Sequence, residues 1–102
     1  MEAPAAKKRP QKSMKQVHIF IFGFVQGVGF RQFIKTKAKE FSLTGWVRNL
    51  PDGSVEAVFQ GDKASIEKII KLCRKGPFLS EVENVDIKWE NIVDNLSEFM
   101  VL

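Results

Sequence analysis

Two amphipathic helices, each lying between segments of strand character, constrain the fold of this chain more than any other feature. The first is predicted from about Arg31 to Phe41, because apolar residues recur there at helical spacing while lysines occupy the other side. The second is predicted between Asp62, a favourable N-cap residue, and Gly76-Pro77, which ends it. Each helix therefore has one face that packs against the rest of the domain and one that is exposed to solvent. The apolar face of the second helix consists of Ile66, Ile69, Ile70 and Cys73.

The segments around these helices have the composition of β-strands. They are short and rich in β-branched and aromatic residues, and apolar and polar side chains alternate from Val85 onward. Between two of them, the proline and glycine of Leu50-Pro51-Asp52-Gly53 predict a hairpin turn. The predicted strands are residues 16 to 22, 46 to 49, 55 to 60 and 82 to 89, with a short edge strand at 99 to 102.

The element order βαββαβ, followed by a short terminal strand, predicts an α+β fold. It is the order of a ferredoxin-like sandwich, in which two helices cover one face of an antiparallel sheet and the other face stays open. With 102 residues, the chain has room for one such domain.

The positive charge of the chain is confined to its N-terminal segment. The formal net charge is +4, and residues 1 to 16 account for all of it. Residues 1 to 15 lack apolar periodicity, which predicts a disordered basic tail before a folded domain at 16 to 102. The basic run Lys7-Lys8-Arg9 has an alternative interpretation, as a nuclear-type or polyanion-binding signal. Because the rest of the chain is neutral and no apolar run approaches the roughly 20 residues that span a bilayer, we expect neither specific nucleic-acid binding nor a membrane partner.

The chain has a single cysteine, Cys73, on the apolar face of the second predicted helix. It cannot form an intramolecular disulfide, and no Cys/His cluster suggests a zinc site. We therefore interpret Cys73 as structural and expect a reducing, cytoplasmic location, without a metal or cofactor.

A glycine-rich turn joins the first predicted strand to the first predicted helix. It reads Gly23-Phe24-Val25-Gln26-Gly27-Val28-Gly29-Phe30-Arg31. Glycines let backbone N–H groups converge on one point, the helix N-terminus adds positive dipole, and a guanidinium matches a phosphoryl group. Because Arg31 in the first helical turn is unfavourable for the dipole, we expect an external anion to compensate both charges. The alternative is a tight connection with Arg31 paired to a carboxylate; a Walker A loop is excluded, since no Gly-Lys-Ser/Thr follows.

Asn49, just before the hairpin turn, is the second candidate site residue. If it shares a strand face with Val47, its amide projects from the strand end, where it can accept from a water and donate to a phosphoryl oxygen. A turn-capping asparagine is the alternative. His18, the only histidine, lies between apolar residues in a strand, so we interpret it as a sheet-surface side chain rather than a general base.

Taken together, the two segments resemble the signature segments of the acylphosphatase family. Residues 23 to 31 and 45 to 56 match them throughout and in the family's order. The resemblance implies that Arg31 binds phosphate and that Asn49 positions the nucleophilic water. The backbone cradle that it implies consists of Val25, Gln26, Gly27, Val28, Gly29 and Phe30.

The resemblance predicts a monomeric enzyme that hydrolyses a small acyl phosphate to carboxylate and inorganic phosphate without a metal. Because the leaving carboxylate is a weak base, no strong general acid is required. Two alternatives remain: an RNA-binding module that uses Phe20 and Phe22 on the sheet surface, and a module serving a larger carbamoyl-phosphate-handling maturation enzyme. The first is disfavoured because residues 55 to 60 offer one aromatic side chain and no lysine or arginine. The second is disfavoured because we expect such a module to be part of a longer chain.

Overall fold

Residues 14 to 102 are described by a computed structural model, so the predicted tail lies outside the described residues except for Met14 and Lys15, which belong to the first strand. Every predicted helix and strand is present. The first strand differs most from its prediction, because it extends two residues further at each end. The elements are β1 (Met14–Phe24), α1 (Phe30–Glu40), β2 (Thr44–Asn49), β3 (Val55–Asp62), α2 (Lys63–Lys75), β4 (Glu81–Glu90) and β5 (Phe99–Val101).

The strands form one sheet in the order β4-β1-β3-β2-β5. β1 is antiparallel to β3 and β4, and β2 is antiparallel to β3. The ferredoxin-like α+β fold is thereby confirmed. β5 adds a detail that the sequence did not predict: it pairs with β2 in parallel, which makes the sheet mixed.

The core lies between one sheet face and the two helices. Alternate residues of β1 (Val17, Ile19 and Ile21) point into it and are fully buried. α1 contributes Phe30, Ile34 and Ala38, and α2 contributes the four apolar residues predicted from its spacing. Asp62 occupies the predicted N-cap position of α2, but its side chain makes no capping hydrogen bond; it is still paired with Met14 as the last residue of β3.

The opposite sheet face is less open than predicted. β4 and β5 are the two edge strands, so the segment that joins them, residues 91 to 98, must cross the sheet. We call this segment the strap. The Gln60 side chain on this face donates from Nε2 to the Asp94 carbonyl oxygen at 2.7 Å and accepts at Oε1 from the Leu96 N–H at 2.9 Å. The strap therefore covers part of the face that lacks helices.

Neither helix within residues 14 to 102 has the length and apolar character needed to cross a membrane.

Candidate functional site

The two predicted site segments meet at one end of the sheet. β1 and β2 are both antiparallel to β3, which lies between them, so β1 and β2 run in the same direction and end on the same side. The register places Val55 of β3 between Ile21 of β1 and Asn49 of β2. The glycine-rich turn follows β1 directly, and Asn49 is the last residue of β2. Sheet topology thus brings together two segments that are well separated in the sequence.

The turn has several backbone features that the predicted anion cradle requires. Gly27 and Gly29 have φ angles of 76° and 80°, in the left-handed region that favours glycine. Gly29 is also the N-cap of α1, a position at which the helix dipole is positive. Within residues 14 to 102, the backbone N–H groups of residues 26 to 29 donate to no other group. The first turn of α1 also lacks an acidic residue that would neutralise it.

Arg31 lies in this first turn, and its side chain is exposed. Among the described residues no carboxylate forms an ion pair with it, and it makes no side-chain hydrogen bond. The predicted alternative, an arginine paired to a carboxylate, is therefore not found in this part of the chain. The guanidinium and the helix N-terminus place uncompensated positive charge at the same point.

A cavity of about 200 Å³ is lined by the turn, the start of α1 and the end of the sheet. It brings Arg31 and Asn49 together, as the sequence predicted. Two predicted cradle residues, Gln26 and Val28, do not line it; Val28 packs against the core instead. Two lining residues, Gln32 and Val101, were not predicted. The lining consists of Val25, Gly27, Gly29, Phe30, Arg31, Gln32, Asn49 and Val101.

The Gln26 side chain holds the turn to the hairpin. Its Nε2 donates to the carbonyl oxygens of Leu50 at 2.7 Å and Ser54 at 2.9 Å. These two carbonyls lie on either side of the hairpin turn that follows Asn49. Gln26 therefore fixes the cradle relative to Asn49, whereas sequence reasoning gave it a backbone role only. No local pattern signals this contact, because its partners lie 24 and 28 residues away.

The hairpin turn is ordered by its own side chains. Asp52 accepts hydrogen bonds at Oδ1 from the Ser54 hydroxyl at 2.6 Å and the Ser54 N–H at 2.9 Å. These bonds hold the pKa of Asp52 below its ordinary value. Ser54 is buried, so the turn presents a defined carbonyl to Gln26.

A second polar cluster lies on the strap side of the sheet, outside the cavity. Glu56 accepts from Arg48 Nε and from His18 Nε2, each at 2.6 Å. Burial would raise the pKa of Glu56, but these two hydrogen bonds outweigh it and the pKa is lowered. His18 also stacks on Phe20, with ring centroids 4.8 Å apart. The interpretation of His18 as a sheet-surface side chain is confirmed.

Comparison with known proteins gives one consistent result. The family model described as Acylphosphatase matches residues 17–101. An acylphosphatase of Methylococcus capsulatus is 46% identical over 89 residues, covering 87% of this chain and 97% of that protein. The structure of an acylphosphatase from Coxiella burnetii superposes with a TM-score of 0.87 at 37% identity, covering 93% of this chain and 99% of the other. Full-length HypF, in its phosphate- and nucleotide-bound form, gives a TM-score of 0.79 at 27% identity, and the match covers 12% of that longer chain.

Proposed function

The chain belongs to the acylphosphatase family and is an acylphosphatase, and from this premise we propose that Arg31, Asn49 and the backbone of residues 25 to 30 perform the hydrolysis. The substrate is a small acyl phosphate, and the products are a carboxylate and inorganic phosphate. Neither a metal ion nor a covalent intermediate takes part.

The cradle and Arg31 bind the phosphoryl group. The N–H groups of residues 26 to 29 are free of internal acceptors in the described chain, and the phosphoryl oxygens take that place. The Arg31 guanidinium donates to the same group from the first turn of α1. As negative charge spreads over the equatorial oxygens in the transition state, these preformed donors stabilise it without reorganisation.

Asn49 holds the attacking water. Its side-chain oxygen accepts a hydrogen bond from the water, and its amide nitrogen donates to a phosphoryl oxygen. The water oxygen forms a bond to phosphorus while the bond from phosphorus to the carboxyl oxygen breaks, and the electron pair leaves with the carboxylate. A phosphoryl oxygen takes the proton of the water, so no side-chain base is needed.

The observation that supports this proposal best is the shared cavity. It contains an arginine without a carboxylate partner in the described chain and an asparagine without a side-chain hydrogen bond, facing a turn with free N–H groups. A structural arginine or a turn-capping asparagine would have an internal partner at such a position.

Hydrolysis of benzoyl phosphate in the presence of EDTA tests the proposal. The wild-type protein is expected to be active, and Arg31→Ala and Asn49→Ala each to lose about 10²- to 10³-fold in rate. Arg31→Lys also loses most activity, because an ammonium lacks the planar fork. Arg74→Ala, an exposed arginine on α2, is the matched control and keeps full activity. Full activity of Arg31→Ala or Asn49→Ala, or loss of wild-type activity with EDTA, contradicts the mechanism.

Two further properties belong to the same proposal. The enzyme acts as a monomer, which gel filtration tests, and it is cytoplasmic, in keeping with a buried cysteine that has no disulfide partner.

A further inference from the structure

Two elements line the cavity together with the glycine-rich turn, and we call each of them a wall. One is the end of the sheet, where Asn49 shares the helix-facing side of β2 with the buried Val47. The other is the first turn of α1, which supplies Arg31 and Gln32. The glycine-rich turn connects the end of β1 to α1 and also lines the cavity. An acyl phosphate bound at this turn therefore has side chains of two different elements as neighbours.

In-line displacement at phosphorus assigns these sides different tasks. The attacking water and the leaving oxygen lie on opposite sides of the phosphorus atom. With the water held by Asn49 at the sheet wall, the leaving carboxyl group is directed to the α1 wall. The phosphoryl oxygens already engage Arg31 and Phe30 is apolar, which leaves Gln32 as the other polar side chain of that wall.

Gln32 has the properties of an available donor. Its side chain is exposed and makes no hydrogen bond within residues 14 to 102. Side chains in a first helical turn tilt toward the helix N-terminus, which here is Gly29 in the lining of the cavity. A glutamine amide offers two N–H donors and keeps no charge of its own.

We propose that Gln32 is a catalytic residue whose side-chain amide donates a hydrogen bond to the leaving carboxyl group of the acyl phosphate. The proposal rests on the proposed function and adds a second group to the reaction: Asn49 acts on the incoming oxygen and Gln32 on the departing one. As the bond from phosphorus to oxygen breaks, negative charge grows on the carboxyl oxygen, and the hydrogen bond from Gln32 strengthens. The gain in rate from this hydrogen bond is therefore largest for the most basic leaving carboxylates.

Gln32→Met tests this, because methionine has a similar shape and helix propensity but no N–H group. The substrates are acetyl phosphate and benzoyl phosphates whose ring substituents vary the basicity of the leaving carboxylate without changing the phosphoryl group. We expect kcat/KM to fall about tenfold for the most basic leaving group, and by less as the leaving group becomes less basic. The dependence of log kcat/KM on leaving-group pKa becomes steeper, while inhibition by inorganic phosphate is unchanged.

Thr36→Met is the matched control. Thr36 lies one turn further along α1, is exposed and does not line the cavity, so the leaving-group dependence stays that of the wild type. An equal loss of activity across the series in Gln32→Met, or no loss at all, overturns the role of Gln32. That outcome is distinct from failure of the proposed function, in which Arg31→Ala keeps wild-type activity.

Discussion

At the scale of single residues, the candidate site has two kinds of side chain. Those of the first kind have no internal hydrogen-bond partner in the described chain, and one of the second kind holds the glycine-rich turn to the hairpin. Arg31 and Asn49 belong to the first kind and Gln26 to the second. A free guanidinium at a helix N-terminus is unfavourable for stability, and the proposed anion would compensate it. The two hydrogen bonds of Gln26 hold the glycine-rich turn against the hairpin that follows Asn49.

Gln26→Leu is expected to weaken the site and the fold together. The carbonyls of Leu50 and Ser54 each lose one of the two hydrogen bonds that they accept and keep the bond from a backbone N–H. The loss of two hydrogen bonds lowers the free energy of unfolding by about 1–3 kcal/mol. Because the cradle is then no longer fixed relative to Asn49, kcat falls as well as the affinity for inorganic phosphate. Urea unfolding, phosphate titration and benzoyl phosphate kinetics measure the three effects. Unchanged kcat in a destabilised variant would show that Gln26 has a structural role only.

At the scale of secondary structure elements, three neighbouring strands are joined by one carboxylate. Glu56 of β3 accepts hydrogen bonds from His18 of β1 and Arg48 of β2 across the sheet face. The side chain of Glu56 is 7% exposed, whereas that of Arg48 is 48% exposed. The charge is thus held where the strands meet, and the interaction depends on its ionised form. An acidic group at the centre of this face also disfavours the RNA-binding alternative.

The folded protein should lose stability in acid because of Glu56. Its pKa is lower in the folded state than its ordinary value of 4.5, so its contribution is complete above that pH and disappears as pH falls through the folded pKa. Glu56→Gln is expected to be about 1–3 kcal/mol less stable at pH 7 and to lose less stability on acidification. Urea unfolding between pH 7 and pH 3 checks this. If the free energy of unfolding fell by the same amount with pH in the wild type and in Glu56→Gln, Glu56 would be ruled out as the titrating group.

Cys73 of α2 provides a test of packing at the same scale. It is fully buried, and burial raises the pKa of its thiol to about 12. The thiolate is the reactive form, so Ellman's reagent should not react with the folded protein at pH 8 and should react with one thiol per chain in urea. Rapid labelling under native conditions would contradict the packing of α2 against the sheet.

At the scale of the whole molecule, the strap links the sheet face without helices to the strand that lines the cavity. It starts at the β4 edge, crosses the face that lacks helices, and continues into β5, whose Val101 lines the cavity on the helix side. Gln60 is buried, and its side chain binds the strap at two points and also donates to Gln16 Oε1 at 2.6 Å. The position of one cavity wall therefore depends on contacts on the other side of the sheet.

Gln60→Leu is expected to release the strap and loosen β5. The variant leaves the Asp94 carbonyl and the Leu96 N–H without their partner, at a cost of about 1–3 kcal/mol. Hydrogen exchange should accelerate at the backbone N–H groups of Phe99–Val101 more than at those of β1, and KM for benzoyl phosphate should rise. Lys88→Leu, exposed on β4, is the control. Uniform acceleration over the sheet would show that Gln60 stabilises the fold as a whole, without a specific role in holding β5.

The sequence by itself determined the elements and the chemistry of one segment. Strand and helix periodicity, the Pro-Gly turn and the glycine-rich cradle ending in Arg31 are local patterns, because backbone preference and side-chain spacing act over a few residues. The position of Asn49 at a strand end made it a candidate, with a turn-capping role as the alternative, and the family resemblance then implied that it positions the water. Only the tertiary structure decided that Gln26 holds the hairpin, that Gln32 and Val101 line the cavity, and that the strap covers the second face. These are contacts between distant residues, fixed by strand order and register, which local periodicity does not encode.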